Sequence, residues 1–236
     1  MPPKLLITGA AGFVASLVTE DLKKNYQLVF TDQKTTSLEP FVQADLSDYS
    51  TLLELCQGVD TVLHLATVPH TNPDWQQQIA ANIVGVQHIL LAAKAAGCRR
   101  VIVFSSIQAV WGHRHQPILE TDPAYPTNFY GATKAMSESL ARVHSHQSQL
   151  SVICVRLGAV LRDHDLRIRP SHTESEYGIT KRDLCQLLRS CIQTKQHFAI
   201  VHGVSNNQPN RLSLATTQQL LSYQPQDDVV GMARKN

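Results

Sequence analysis

The 236-residue sequence has no apolar stretch approaching the ~18–20 residues that a membrane-crossing helix requires. Its opening, Met1-Pro2-Pro3-Lys4, runs directly into an apolar segment without the pattern of a secretory leader, so a cytoplasmic protein with no membrane partner is expected. Net charge is also low: 21 Lys and Arg against 19 Asp and Glu leave +2 with the 11 histidines neutral. A field that weak does not attract a polyanion, which argues against nucleic acid as a partner. Cysteine is scarce, five residues at 56, 98, 154, 185 and 191, with no C-x-x-C pair. An odd count without such a pair argues against a disulfide framework and leaves small buried hydrophobes as the expected role. The pairs His113/His115 and His144/His146 lack a third ligand at useful spacing, so no metal is expected and these histidines are read as solvated loop and helix-surface residues. Repeats and low-complexity tracts are absent.

What is present is an alternation. Strand-length apolar runs at Leu5–Thr8, Leu28–Thr31, Thr61–Leu65, Arg100–Ser105, Val152–Leu157 and Phe198–Val201 are separated by helical patterns. The helices are expected over Phe13–Lys24, Tyr49–Gln57, Trp75–Ala96, Tyr130–His146, Thr180–Thr194 and Leu214–Ser222, with Gly58 and Gly97 standing just past two of them as C-terminal caps. Near-continuous apolar strands belong in a parallel sheet covered on both faces. The fold class is therefore α/β, a doubly wound parallel sheet or Rossmann fold, whose ligand crevice lies at the carboxyl ends of the strands. With 43% hydrophobic residues the chain can bury one good core, so residues 1–236 form one domain. The segments 158–180 and 202–236 are expected to contribute a small C-terminal substrate-side lobe, with the last residues, Gln224–Asn236, as a polar, loose tail.

Directly after the first strand comes Thr8-Gly9-Ala10-Ala11-Gly12-Phe13-Val14-Ala15. Small residues let the backbone approach a pyrophosphate, and the following helix start favours its negative charge, so Gly9, Ala11, Gly12, Phe13 and Val14 are the expected diphosphate cradle. Asp32 ends the second strand about 20 residues further on, the place from which a carboxylate accepts from both ribose hydroxyls. It would repel a 2′-phosphate, and the expected cofactor is NAD.

Tyr130-Gly131-Ala132-Thr133-Lys134 sets a phenol and an ammonium one helical turn apart on one face. The cation is expected to draw the tyrosine pKa down from its reference near ~10, making Tyr130 a general base. A second pair at this spacing, Tyr177 and Lys181, has no serine-tipped strand leading into it and is read as coincidence. Ser105 and Ser106 end the strand preceding Tyr130, followed by Gln108, whose amide either reaches a substrate oxygen or faces solvent. The rim segment carries Arg162, Arg167 and Arg169, which either receive a carboxylate or form a solvated charged loop, while Arg156 is read as structural.

Taken together the chain resembles the extended short-chain dehydrogenase/reductases, the NAD-dependent epimerase/dehydratase group. The residues that carry the likeness are Thr8-Gly9-Ala10-Ala11-Gly12, Ala44-Asp45-Leu46, His64-Leu65-Ala66, Asn82 with Gly85, Phe104-Ser105-Ser106, Val110-Trp111-Gly112, Tyr130-Gly131-x-x-Lys134 and Val155-Arg156-Leu157-Gly158. The resemblance implies that Asp45 and Leu46 border the adenine, that Leu65, Ala66 and Thr67 run beside the cofactor, that Asn82 lies by the cofactor or supports the active-site helix from behind, and that Lys134 also holds the nicotinamide ribose. Within the group the chain is most similar to uronate dehydrogenases, which oxidise a sugar acid. An oxidoreductase acting on a sugar or sugar-acid hydroxyl is expected, with an epimerase or dehydratase, or a weakly catalytic dinucleotide sensor, as the alternatives. The family also implies a homodimer built on the long helices, which are equally suited to burial within one chain.

Two positions depart from the family pattern. Ala15 replaces the third glycine, a mild change for helix packing. Ile107 stands where the family places its catalytic serine or threonine, so Ser106 fills the role only if the chain bends at the strand end.

Overall fold

The computed structural model describes residues 2–69, 74–161 and 175–235. Seven parallel strands form one sheet: β1 (Lys4–Thr8), β2 (Gln27–Asp32), β3 (Phe41–Gln43), β4 (Thr61–His64), β5 (Arg100–Ser106), β6 (Ser151–Leu157) and β9 (Phe198–Gly203), in the order β3-β2-β1-β4-β5-β6-β9. The order reverses between β1 and β4, and at such a reversal the connections leave on opposite faces and open a crevice beyond the strand ends. Alternate residues feed the two faces. Leu5, Ile7, Ile102, Phe104, Ile153 and Val155 pack with helices α1 (Phe13–Leu22) and α6 (Lys181–Gln193). Leu6, Val101, Val103, Val152 and Cys154 pack with α2 (Tyr49–Leu55), α4 (Gly85–Ala95) and α5 (Phe129–His146). All five cysteines are free and buried in these layers. Gly58 and Gly97 have φ of 66° and 74°, as left-handed caps do.

Four features depart from the sequence reading. The short edge strand β3 carries too little pattern to be seen. The helix expected over Trp75–Ala96 is three segments: α3 (Trp75–Ile79), a π-helical turn (Ala80–Val84) and α4. Hydropathy periodicity cannot register one extra residue in a turn, yet that residue swings Asn82 inward. His144 is buried rather than on the surface, with Nε2 3.0 Å from Gln87 Oε1, because α5 packs this flank on α4.

The tail is the largest correction. Tyr223, Val229 and Val230 are buried and residues Val229–Lys235 form helix α8, after helix α7 (Ala215–Leu221). The Asp227 carboxylate accepts from Thr180 Oγ1 at 2.6 Å and pairs with Arg182, while the Gln226 and Asp227 amides donate to Asp183. Polar composition suggested solvation, but Thr180, Asp183 and Asp227 are buried and paired. The C-terminal segment also meets the short parallel pair β7 (Ala159–Val160) and β8 (Gly178–Ile179): Ser205 N and Asn207 Nδ2 both donate to Gly178 O. Arg162, Arg167 and Arg169 lie outside the described residues.

Candidate active site

A cleft of about 640 Å³ opens at the carboxyl ends of β1, β2 and β4, lined by the glycine turn, Asp32, Asp45, Leu46, Leu65, Ala66 and Thr67. The turn is shaped by what its glycines allow. Gly9 has φ +72°, and a Cβ there would lie 2.5 Å from Ala66 N. At Gly12, a Cβ would lie 2.9 Å from Gly9 O, the atom that accepts Gly12 N–H and closes the turn. Helix α1 starts at Phe13 with no side-chain cap and no acidic residue in its first turn. This leaves its positive end to the cleft. The Asp32 carboxylate is held by two amides, Ala11 N at 3.0 Å and Lys34 N at 2.9 Å, which fixes it at the rim of the same cleft. A cradle that side chains would fill, an uncapped helix start and a fixed carboxylate are the fit that a dinucleotide requires.

Asp45 and Leu46 reach the cleft from the loop after β3. The Asp45 carboxylate accepts Ser47 N at 2.8 Å, and Leu46 packs flush on Gly85, where a Cβ would lie 2.6 Å from Leu46 Cδ1. Asn82 does not line the cleft. It is fully buried, accepting from Thr67 Oγ1 and Val68 N at 2.9 Å each and donating to Val68 O at 3.0 Å and Thr133 Oγ1 at 3.2 Å. Its side-chain polar groups are spent on the protein, on Thr67 and Val68 and, in the first turns of α5, on Thr133.

Next to Thr67 stand the groups expected to do chemistry. Asn128 caps α5 through Gly131 N at 2.7 Å, which seats Tyr130 in the first turn. The side chains of Thr67 and Ser106 act on the phenol, favouring its ionised form. Strand β5 ends at Ser106 and the chain turns into a 3₁₀ segment, Ile107–Ala109, with Ser106 Oγ accepting Gln108 N at 3.2 Å. That turn supplies the bend Ser106 needs, and it sends Ile107 into the core, 3% exposed. Ser105 points to the other side, donating to Glu138 Oε1 at 2.6 Å. Gln108 is tied to the helix cap, its Oε1 accepting Asn128 Nδ2 at 2.8 Å.

The electrostatics correct one expectation. Lys134 is buried, donates to Phe104 O at 2.9 Å and sits 5.5 Å from the centre of the Tyr130 ring. Desolvation lowers its own pKa to about 7. The Tyr130 pKa is raised by desolvation, and the groups opposing that rise are Thr67 and Ser106 rather than the lysine. His64, buried beside this cluster with Nδ1 2.8 Å from Thr8 Oγ1, is held neutral, its pKa lowered to about 3 by burial first and by Lys134 second.

Beneath the site lies an ion pair only partly anticipated. Arg156 grips Glu138 through Nε and Nη2, each at 2.9 Å, and its Nη1 donates to Glu120 O and Asp122 O at 3.3 and 3.4 Å. Glu138 lies one turn beyond Lys134, so this pair locks the helix carrying the tyrosine onto β5 and β6. Helix periodicity from Lys134 marks Glu138 as inward, but not its partner. Sequence reasoning passes over Asn128, although an asparagine two residues before Tyr130 carries a capping signal. Tyr177 packs edge-on against Trp111 with ring centres 5.0 Å apart. The histidine pair 113/115 does acquire a third neighbour, Asp122, brought in by the fold from seven residues away.

Comparison with known proteins agrees with this geometry. A glucose-6-phosphate dehydrogenase of Haloferax volcanii, described as NAD-dependent, is 28% identical over 97% of this chain and 95% of its own length. A uronate dehydrogenase of Pseudomonas syringae pv. tomato is 28% identical over 86% of this chain and 75% of its own. Among solved structures, a mutated uronate dehydrogenase superposes with a TM-score of 0.88 at 25% identity, covering 100% of this chain and 85% of that one. The sequence profile of the NAD dependent epimerase/dehydratase family matches residues 5–164. The chain therefore belongs to the NAD dependent epimerase/dehydratase family and is an NAD-dependent enzyme of the short-chain dehydrogenase/reductase type.

Proposed function

We propose that the protein oxidises the hydroxyl of a sugar or sugar acid, with Tyr130 as general base, Ser106 as the donor that orients the substrate oxygen, and Lys134 as the buried amine beside the Tyr130 ring. The observation that carries this reading is the interaction of the Tyr130 phenol with Ser106 and with Thr67, a residue of the cleft lining. NAD, when bound, supplies the acceptor for the hydride. Gly9, Ala11, Gly12, Phe13 and Val14 would hold its diphosphate, Asp32 its adenosine ribose, Asp45 and Leu46 its adenine, and Leu65, Ala66, Thr67, Tyr130 and Lys134 its inner half. The substrate hydroxyl would sit between Ser106 and Tyr130, losing its proton to the Tyr130 oxygen as its carbon gives up the hydride; since burial raises the Tyr130 pKa, this base form grows as pH rises. Asn82 keeps Thr67 and Thr133 in place through its four bonds, and Gln108, restrained by Asn128, reaches the substrate side with what remains of its amide. We propose that the segments 158–180 and 202–236 contribute the substrate-side lobe; their described parts join at Gly178, whose carbonyl accepts from Ser205 N and Asn207 Nδ2.

The related dehydrogenases of glucose-6-phosphate, uronate and L-arabinose support a sugar substrate without choosing among them. The test is net NADH production with a panel of aldoses, uronates, sugar phosphates and nucleotide sugars. Stoichiometric NADH with one of these is expected. Turnover without net NADH would instead favour the second reading, an epimerase or dehydratase, which the family match also supports.

No helix among the described residues is long and apolar enough to cross a membrane, and a cytoplasmic site of action is proposed. We also propose a homodimer joined through α4 and α5. Their inner faces are buried within the chain, while Val84, Leu91, Met136 and Val143 remain exposed on the outside.

A further inference from the structure

Away from the cleft, the loop between Gly112 and Tyr125 gathers three side chains with metal-ligand chemistry. His113, His115 and Asp122 each offer one ligand atom, and these atoms lie within 4.8 Å of one another. The loop that carries them is tied down. Gly112 N donates to Tyr125 O and Tyr125 N to Ala109 O, both at 2.8 Å, while Ile118 pairs with Leu212. Within the cluster the outer bonds are those a coordinating residue needs. His113 Nε2 lies 2.9 Å from Pro123 O, an acceptor only, which assigns the proton to Nε2 and leaves Nδ1 with the lone pair. Asp122 Oδ2 accepts Leu119 N at 2.8 Å, which fixes the carboxylate, and faces His115 Nε2 at 2.7 Å.

Two imidazoles and one carboxylate form a donor set for a borderline divalent transition ion. Magnesium and calcium favour sites built of oxygen, whereas zinc accepts mixed nitrogen and oxygen ligands with water at the remaining position. We propose that His113, His115 and Asp122 bind one divalent transition-metal ion, of which Zn²⁺ is the best chemical match, and that the ion staples the 112–125 loop. On coordination through Nε2, His115 exchanges its hydrogen bond to Asp122 for a bond to the ion, and its ring proton moves to Nδ1. The loop so fixed includes the Glu120 and Asp122 carbonyls that accept from Arg156, the partner of Glu138 under the catalytic helix. The ion is thus placed to stabilise the outer wall of the site without touching the reacting groups.

The test uses the full chain without an affinity tag, stripped with chelator and titrated with Zn²⁺ in competition with a chromogenic chelator, and separately with Co²⁺ followed by visible absorption. One ion per chain is expected, with Co²⁺ ligand-field bands, a raised unfolding temperature and no displacement by Mg²⁺. His115→Ala alters an exposed side chain, and Asp122→Asn keeps shape; each should weaken binding by ~10-fold or more. The NAD affinity of each variant, measured without metal, reports that the fold is intact and does not depend on catalysis. Zn²⁺ binding by the unaltered chain no tighter than by a His113→Ala/His115→Ala variant would overturn the assignment, as would binding unchanged by either single substitution.

Discussion

At the scale of single residues, the two serines ending β5 separate rate from stability. Ser106 meets the Tyr130 phenol, so Ser106→Ala should lower kcat by about 10²–10³, the usual cost of losing one oriented donor. Ser105 instead donates to Glu138, and Ser105→Ala should leave kcat within a few fold while costing about 1 kcal/mol in chemical denaturation. Tyr130→Phe removes the base and should cost about 10²–10⁴ in kcat with little change in NAD affinity; full turnover would reject the assignment. Lys134 gives a pH signature. Its pKa falls from 10.5 to about 7 because burial favours the neutral amine in the fold. A depressed pKa means that stability present at high pH is lost as pH falls from 10.5 towards 7, where the buried amine must accept a proton. Unfolding free energy measured without added NAD should therefore rise on the order of a few kcal/mol from about pH 7 to about pH 9.5, and Lys134→Met should flatten that rise. The placement of the glycines and Asp32 on one cleft, and of Tyr130 beside Lys134 on one helix, was legible because each pattern needs a particular residue type at a particular spacing. The choice among Ser105, Ser106 and Ile107 was not, because two-residue alternation stops at Ser106 and the 3₁₀ turn sets the direction of the side chains beyond it.

At the scale of elements, the strands were legible through apolar runs and most helices through their period, since both are set by burial on the two faces of one sheet. What escaped was structure held by paired polar groups. The π-helical turn at Ala80–Val84 obeys no hydropathy rule, yet it delivers Asn82 to its four bonds. Asn82→Ala would leave the half-buried Val68 amide and carbonyl without their partner and should cost about 1–2 kcal/mol. If Asn82 braces rather than contacts the cofactor, the loss appears in unfolding and in kcat, through a looser Thr67 and Thr133, more than in the affinity for NAD. A calorimetric titration showing NAD binding abolished in a folded variant would return Asn82 to the cofactor. The C-terminal helix α8 escaped for the same reason, its approach being fixed by Asp227 on Thr180 and by Asp183 on two amides.

At the scale of the whole molecule, α4 and α5 carry apolar side chains on two opposite sides, and only one is used within the chain. Val86, Ile89, Leu90, Ala93 and Ala141 face the sheet and are buried. Leu91 and Val143 lie on the outer side at 36% and 48% exposed, joined by Val84 and Met136, each seven residues away along the same helical run. A seven-residue interval is close to two helical turns, so each pair lines one stripe, and two stripes on adjacent helices make a patch that a second copy can cover. A two-fold axis through this patch would set α4 and α5 against their symmetry mates as a four-helix seam. Leu91→Glu/Val143→Glu places like charges across that axis without touching the core, so the variant should run in light scattering as a single chain of 26.2 kDa and keep its unfolding midpoint at low concentration. The unaltered protein should show twice that mass. A single-chain mass for the unaltered protein at tens of micromolar would remove the interface, and the outer face of these helices would then be ordinary solvated surface.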